Sequence, residues 1–445
     1  MTTTLPRADA LPPALHPLAG RARAAVEIAL MLGGVAGWAA VLHHEVGGDG
    51  ADRAAALSAL VRHGELVNNP YSLIGPLFAA PLLAIDDRLL AYYNMIIFVL
   101  GAVAAYLALR RQVAPELLRT AGLVLAGASV AAPAVANFYG EMFTLVGLGL
   151  GMTGAVAGTR AARLIGWSAA VLGAANSIAA LPALALTVAV WAVLRRRWRY
   201  AVPLVAAVAL VLLESLVRRA GADPYAGTNH IARTVMPYSG RGGFSYPVFF
   251  GVLAILFSFG KGLVWYFPGL LLPAWHRLAD PLRQAYRLWL VQLLAFVLLY
   301  AGWWSWYGGL YWGPRFFVLG ILPASVALAA ALRDEAASLR ANLATLAVTL
   351  LSCWVATAAV VFPELPTTCT DNYYQLEFLC HFTPEFSALW HPFVAGARPR
   401  TGQYLVLAYE VVVFGWLVAP LLRRITAQVR DHRPTAAALT RGWRW

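Results

Sequence analysis

Arginine is distributed unevenly along this chain of 445 residues. It gathers in every second connection between long apolar stretches. The basic connections are Arg21/Arg23, Arg110/Arg111/Arg119, Arg160/Arg163, Arg195/Arg196/Arg197/Arg199, Arg277/Arg283/Arg287, Arg333/Arg340 and Arg423/Arg424/Arg430/Arg433. Such alternation is the mark of a chain that crosses a membrane repeatedly and keeps its cations on the cytoplasmic side. A crossing needs about 20 apolar residues. With 60% apolar and only 12% charged residues, an ordinary soluble domain is excluded. The formal charge of +13 does not call for nucleic acid, because it sits in short loops where the anionic leaflet is the simpler partner.

Placing every basic connection in the cytoplasm gives one consistent topology. Spans are expected at 24–43, 89–109, 117–136, 142–158, 163–176, 178–194, 200–217, 246–275, 286–301, 317–332, 341–361 and 403–422, about twelve crossings with both termini inside. The fold class is therefore an all-α polytopic integral membrane bundle, read as one domain over 1–445. Residues 1–23 show no cleavage site, so the first apolar stretch is expected to be a retained helix. Outer connections fall at 44–88, 137–141, near Asn176-Ser177, at 218–245, at 302–316 and at 362–402. The 44–88 loop holds a short apolar stretch, Tyr71 to Ile85, which reads as interfacial or re-entrant. The stretch from Tyr246 to Trp275 is too long for one straight span and breaks at Gly260-Lys261-Gly262. A broken helix at membrane depth is tolerated beside protein or water, so it is expected to line a cavity.

The outer side carries the candidate chemistry. Asp49 stands between Gly48 and Gly50, which permit a tight turn and leave the carboxylate accessible. Beside an apolar cavity its pKa is expected to rise toward that of a useful base. The competing reading is an acidic start to a short helix over 51–63. Glu45 and Asp52 compete for the same role. Lys261 is the only lysine among 34 lysines and arginines, and an ammonium within an apolar run is costly. Arg315 closes the aromatic segment that starts at Trp303, where an interfacial aromatic belt is the plainer reading of the rings. Its guanidinium suits an anionic ligand. Glu141 sits in the turn Asn137-Phe138-Tyr139-Gly140-Glu141. Arg218, Arg219, Arg233 and Arg241 also fall outside, against the positive-inside count. Glu27, Glu214 and Glu410 lie in or near spans as packing partners. Cys369 and Cys380 share the 362–402 loop, where a disulfide and two free thiols are both open. His43 and His44 lack the spacing of metal ligands. No nucleotide-binding fingerprint or nucleophile elbow occurs.

Four segments together resemble a known superfamily: Gly48-Asp49-Gly50, Tyr139-Gly140-Glu141, Leu256 to Leu263 continuing to Pro268, and Trp306-Tyr307-Gly308-Gly309 to Arg315. They are similar to the polytopic GT-C glycosyltransferases, which include the family 39 protein mannosyltransferases and the lipid A aminoarabinose transferases. The resemblance covers about 24–330. It implies transfer of a sugar from a polyprenyl-phosphate donor to a lipid-linked, glycan or protein acceptor, with inversion, on the outer face of a bacterial inner membrane. It casts Asp49 as general base and Lys261 and Arg315 as holders of the donor phosphate. Tyr71, Glu141, Trp306 and Tyr307 would shape the sugar pocket. Many members place two adjacent acids in the first loop, so Glu45 is the alternative base or the second acid. The soluble C-terminal domain of many relatives has no counterpart here, which implies a small or lipid-linked acceptor. No cofactor is implied, and a divalent metal stays open. The rival readings are a secondary transporter, which would show inverted repeats that this chain lacks, and a lipid-linked glycan polymerase or flippase.

Overall fold

The computed structural model describes residues 20–196, 198–218, 242–369 and 376–431. The expectations on residues before Gly20, on Arg197, Arg219, Arg233, Arg241 and Arg433, and on the side chain of Arg199 lie outside them. The described residues form helices and turns without a strand; Glu45 and Asn137 make one isolated bridge.

Helices stand at each expected span: Gly20–Val41, Tyr93–Leu109, Pro115–Gly127, Gly140–Val156, Arg160–Ala175, Ala180–Arg195, Val202–Arg218, Val248–Phe257, Asp280–Ala301, Ile321–Leu332, Leu339–Val361 and Gln403–Asp431. Six segments among the described residues have the length and apolar character to cross a membrane: Gly20–Val41, Asp87–Leu109, Asp280–Ala301, Arg315–Leu332, Leu339–Val361 and Gln403–Arg430. Gly140–Val156, Ala180–Arg195 and Val248–Phe257 are shorter apolar helices. The stretch expected at 117–136 is interrupted. Its helix ends at Gly127 and a separate turn, Ala131–Val135, follows. The Tyr71 to Ile85 segment folds as two short helices, Ile74–Leu77 and Ala80–Ile85. Leu77, Phe78 and Ile85 in this segment are exposed. The long stretch after Tyr246 breaks as expected, with Val248–Phe257 ending before Gly260-Lys261-Gly262 and Leu263–Tyr266 beginning after it.

Polar contacts sort the connections by side. Glu27 accepts from Arg23 at 2.9 Å and from Arg119 at 2.6 Å, joining the first two basic connections. Arg195 donates to Gln284 at 2.7 Å, and Arg277 pairs with Asp334 at 2.7 Å. Arg424 donates to the Leu332 carbonyl at 2.9 Å. These contacts join the connection at 21–23 to that at 110–119, and join those at 195–199, 277–287 and 333–340 and the tail to one another. Asp49, Glu141, Arg315 and Arg218 meet elsewhere, at the opposite helix ends.

The helices Gly140–Val156 and Arg160–Ala175 approach each other closely through glycines. A Cβ at Gly154 would fall 2.7 Å from Gly166 Cα, and one at Gly147 would fall 2.7 Å from Gly173 Cα. Small residues on facing helices let backbones touch where lipid offers no hydrophobic gain for association. Thr144 adds a bond to the Gly173 carbonyl at 3.0 Å, and Asn176 donates to the Gly140 carbonyl at 2.9 Å. This fixed pair holds Glu141, on the first turn of its helix, in place.

Candidate functional site

The first outer loop returns to the bundle through Gly48, which adopts φ +50° and sits where a Cβ would meet the Tyr139 hydroxyl at 2.9 Å. Asp49 then opens the helix Asp49–His63. The helix-start reading is right about its location. Its carboxylate, however, makes no cap bond to that helix. Oδ1 accepts from the Tyr71 hydroxyl at 2.9 Å, and Oδ2 accepts from Arg315 Nη2. The same guanidinium donates through Nε to Glu141 at 2.7 Å and lies over the Tyr139 ring, 4.1 Å from its centre. One cation from the second half of the chain therefore joins two acids from the first.

The charge of Asp49 follows from this company. Burial pushes its carboxyl up, as the sequence leads one to expect. The Arg315 guanidinium, the Tyr71 hydroxyl and the more distant Arg53 together outweigh burial and hold it below the usual value of 3.8. The expected upward shift is thus corrected to a downward one, because Arg315 bonds the carboxylate directly and outweighs its burial. Burial and the Asp49 charge push the Tyr71 phenol up, so it stays a donor.

Arg53 is a member of the site that sequence reasoning missed. It lies one turn after Asp49, buried to 8% exposure. It donates to the Ser72 carbonyl at 3.2 Å and stands 5.0 Å from the Tyr71 ring centre. A Cβ on Gly140 would fall 2.8 Å from its Cζ, so glycine in the Tyr139-Gly140-Glu141 turn makes room for it. The i, i+4 spacing of an acid and an arginine in an outer loop is the signal that could have found it. Arg53 Nε and Glu141 Oε2 are buried without a hydrogen-bond partner. Both residues line a cavity whose far wall is Leu145, Phe296, Tyr300 and Phe316. The rings of Tyr300 and Phe316 stack at 4.2 Å between centres.

Tyr71 is held by a second ion pair. Glu214 accepts from Ser72 Oγ at 2.7 Å and from the Leu73 amide at 2.6 Å. Arg218 donates to the Tyr71 carbonyl at 2.8 Å and to Glu214 at 2.9 Å. Arg218, an exception to the positive-inside count, serves this loop.

The other sequence candidates bond elsewhere than to Asp49. Glu45 is half exposed, with His43 at 3.8 Å, and its backbone amide donates to the Ala136 carbonyl at 3.0 Å. Lys261 is buried and donates to three carbonyls, those of Gly309, Tyr311 and Gly313. Trp306 and Tyr307 are buried, and their rings pack against Tyr246, His381 and Phe382. Cys369 and Cys380 form a disulfide, with Cα atoms 6.0 Å apart. Among the described residues, no group of three or more His, Cys, Asp or Glu is placed to hold a metal ion.

No protein-family model and no curated protein matches this chain. Among solved structures, it is similar to ArnT from Cupriavidus metallidurans bound to undecaprenyl phosphate. The two are 17% identical, with a TM-score of 0.51, over 92% of this chain and 78% of ArnT. Against the apo state of the same protein the values are 16%, 0.49, 91% and 77%. At this identity the likeness is one of fold. It shows that the chain shares the helical fold of that protein.

Proposed function

We propose that this protein is a membrane glycosyltransferase that takes a sugar from a polyprenyl-phosphate donor. The observation that carries the reading is the Tyr71–Asp49–Arg315–Glu141 chain. It sets a potential base and a phosphate-binding cation on adjoining atoms, and its Glu141 also lines a cavity with Phe296, Tyr300 and Phe316. The fold shared with a protein captured with undecaprenyl phosphate supports it. The site faces the outer side of a bacterial inner membrane, opposite the face that gathers the basic connections.

In this reading the donor phosphate engages Arg315, with Arg53 close behind, and the lipid chain leaves along the apolar wall. The sugar occupies the cavity beside Glu141, whose unpartnered Oε2 accepts from a sugar hydroxyl. Engagement of Arg315 by phosphate weakens its hold on Asp49. Burial then dominates and the carboxylate becomes a stronger base. Asp49 takes the proton of the acceptor hydroxyl as that oxygen attacks the anomeric carbon from the opposite face. The bond from that carbon to the phosphate oxygen breaks, its electron pair passes to the phosphate, and Arg315 neutralises the gained charge. The configuration inverts in a single displacement.

The test has two parts. Mass spectrometry of lipids and glycans from cells with and without the protein identifies donor and acceptor. Asp49→Asn is then expected to lower transfer by at least about a thousandfold, at the upper end of general-base contributions, while undecaprenyl phosphate still binds. Full transfer in Asp49→Asn, with Glu45→Gln inactive, moves the base to Glu45. Equal lipid and glycan profiles in the two cell types remove the enzyme reading.

A further inference from the structure

Lys261 is 5% exposed, in the break between Val248–Phe257 and Leu263–Tyr266. Its Nζ lies 3.1 Å from the Gly309 carbonyl, 2.5 Å from that of Tyr311 and 3.1 Å from that of Gly313. Three acceptors around one nitrogen match the three protons of an ammonium. The carbonyls belong to one loop, which turns through Gly308, Gly309 and Gly313 at φ of +76°, +72° and +81°. Glycine adopts these angles freely and equally freely leaves them. The loop runs directly through Pro314 into Arg315. A single buried cation thus gathers the carbonyls of the segment that delivers the guanidinium to Asp49.

A buried ammonium requires compensation. Glu377, 3% exposed, and His381, 2% exposed, line the same small cavity as Lys261. Glu377 Oε1 lies 3.6 Å from His381 Nε2, and Glu377 is the acid of this cavity. They sit on the helix Glu377–Phe382, which contains Cys380 of the disulfide to Cys369. The Gly260 amide donates to the His381 carbonyl at 3.0 Å. A Cβ on Gly260 would fall 2.0 Å from the Cys380 carbonyl oxygen, so the disulfide-bearing segment seats directly on the break.

We propose that Lys261 is a positioning residue: with Glu377 of the disulfide-closed loop as counter-ion, it gathers the 309–313 carbonyls and so fixes Arg315 between Asp49 and Glu141. The outer loop beyond Phe362 thereby becomes part of the machinery of a site built from the first half of the chain. The phosphate arm of the test rests on the function proposed above; the exchange arm does not.

Hydrogen exchange of the full-length protein in detergent micelles reads the amides of 305–316. The Gly308 amide now bonds the Ser305 carbonyl at 3.0 Å, and the Arg315 amide that of Gly313 at 3.2 Å. Lys261→Met is expected to speed exchange of both by at least about tenfold, since bonds to a charged donor are lost. Glu377→Gln should act in the same direction and more weakly. With undecaprenyl phosphate as probe, Lys261→Met weakens binding, yet adds no further loss to Arg315→Ala. Unchanged exchange over 305–316, or a binding loss that adds to that of Arg315→Ala, overturns the proposal and makes Lys261 a direct phosphate ligand. Should Lys261→Met fail to fold, Glu377→Gln and the Cys369→Ser/Cys380→Ser double variant carry the exchange test, and no change in either overturns it. If undecaprenyl phosphate binds none of the proteins, wild type included, the functional reading fails and exchange alone decides the role of Lys261.

Discussion

At the scale of single residues, the Asp49–Arg315 contact governs how the site responds to pH. The Asp49 carboxyl titrates below its usual 3.8 because Arg315, Tyr71 and Arg53 overcome its burial. A group whose folded pKa is depressed contributes stability above its unfolded pKa and loses it as pH falls through the folded one. The melting temperature of Asp49→Asn is therefore expected to lie below that of wild type by on the order of 2 °C between pH 8 and 5. The gap should begin to shrink below about pH 4, where the unfolded chain takes up the proton, and close as pH falls through the lower folded pKa of Asp49. Thermal scans of both proteins across that range check this, and a gap that persists unchanged at pH 3 would show that the charge of Asp49 is irrelevant to the fold. Much of this site is legible in residue types. A carboxylate between glycines, a lone arginine after an aromatic run and a glutamate in a short outer turn all converge. Arg53 is legible only through its spacing from Asp49; its burial is not, because an arginine on a polar helix reads as a solvated charge until Gly140 is seen to leave it space. Lys261 is legible as unusual. Its partners are not, because backbone carbonyls carry no sequence signature.

At the scale of elements, the helix pair Gly140–Val156 and Arg160–Ala175 sets where Glu141 stands. The breaks and spans around it follow from hydropathy and from Gly, Pro and Lys in apolar runs. The contact itself does not, since Gly147, Gly151 and Gly154 in one run and Gly166 and Gly173 in another look like any apolar sequence before the helices are paired. Gly154→Leu must displace Gly166, whose Cα lies 2.7 Å from the added Cβ. Overpacking of this kind costs about 1–3 kcal/mol. Gly154→Leu is expected to melt several degrees lower in scanning fluorimetry. Gly37→Ala, with nothing within 4 Å of its added Cβ, should melt no lower than wild type. Equal melting of the two variants would mean that the glycine contact does not hold this pair together. The loop over 362–402 shows the opposite limit. Its place in the chain is plain from the two spans that flank it. Its seat on the Gly260 break depends on a close backbone approach that only three dimensions display.

At the scale of the whole molecule, the sorting of charge becomes a statement about orientation. Glu27 draws Arg23 and Arg119 together, Arg277 reaches Asp334, and Arg195 reaches Gln284, so connections far apart in sequence share one basic face. Asp49, Glu141 and Arg315 share another. An anionic leaflet attracts the basic face at about 1 kcal/mol per exposed cation, which gives the bundle a preferred direction. The native thiols leave a clean background for testing it, because Cys369 and Cys380 are joined and Cys353 is buried. Glu65 is exposed after the Asp49–His63 helix, and Arg160 is exposed at a basic connection. In intact cells a membrane-impermeant maleimide is expected to label Glu65→Cys and to spare Arg160→Cys until the membrane is opened. The reverse pattern would put the Asp49 cluster in the cytosol. It would also place the disulfide in a reducing compartment, and a polyprenyl-phosphate donor would then have to be met on the inner leaflet.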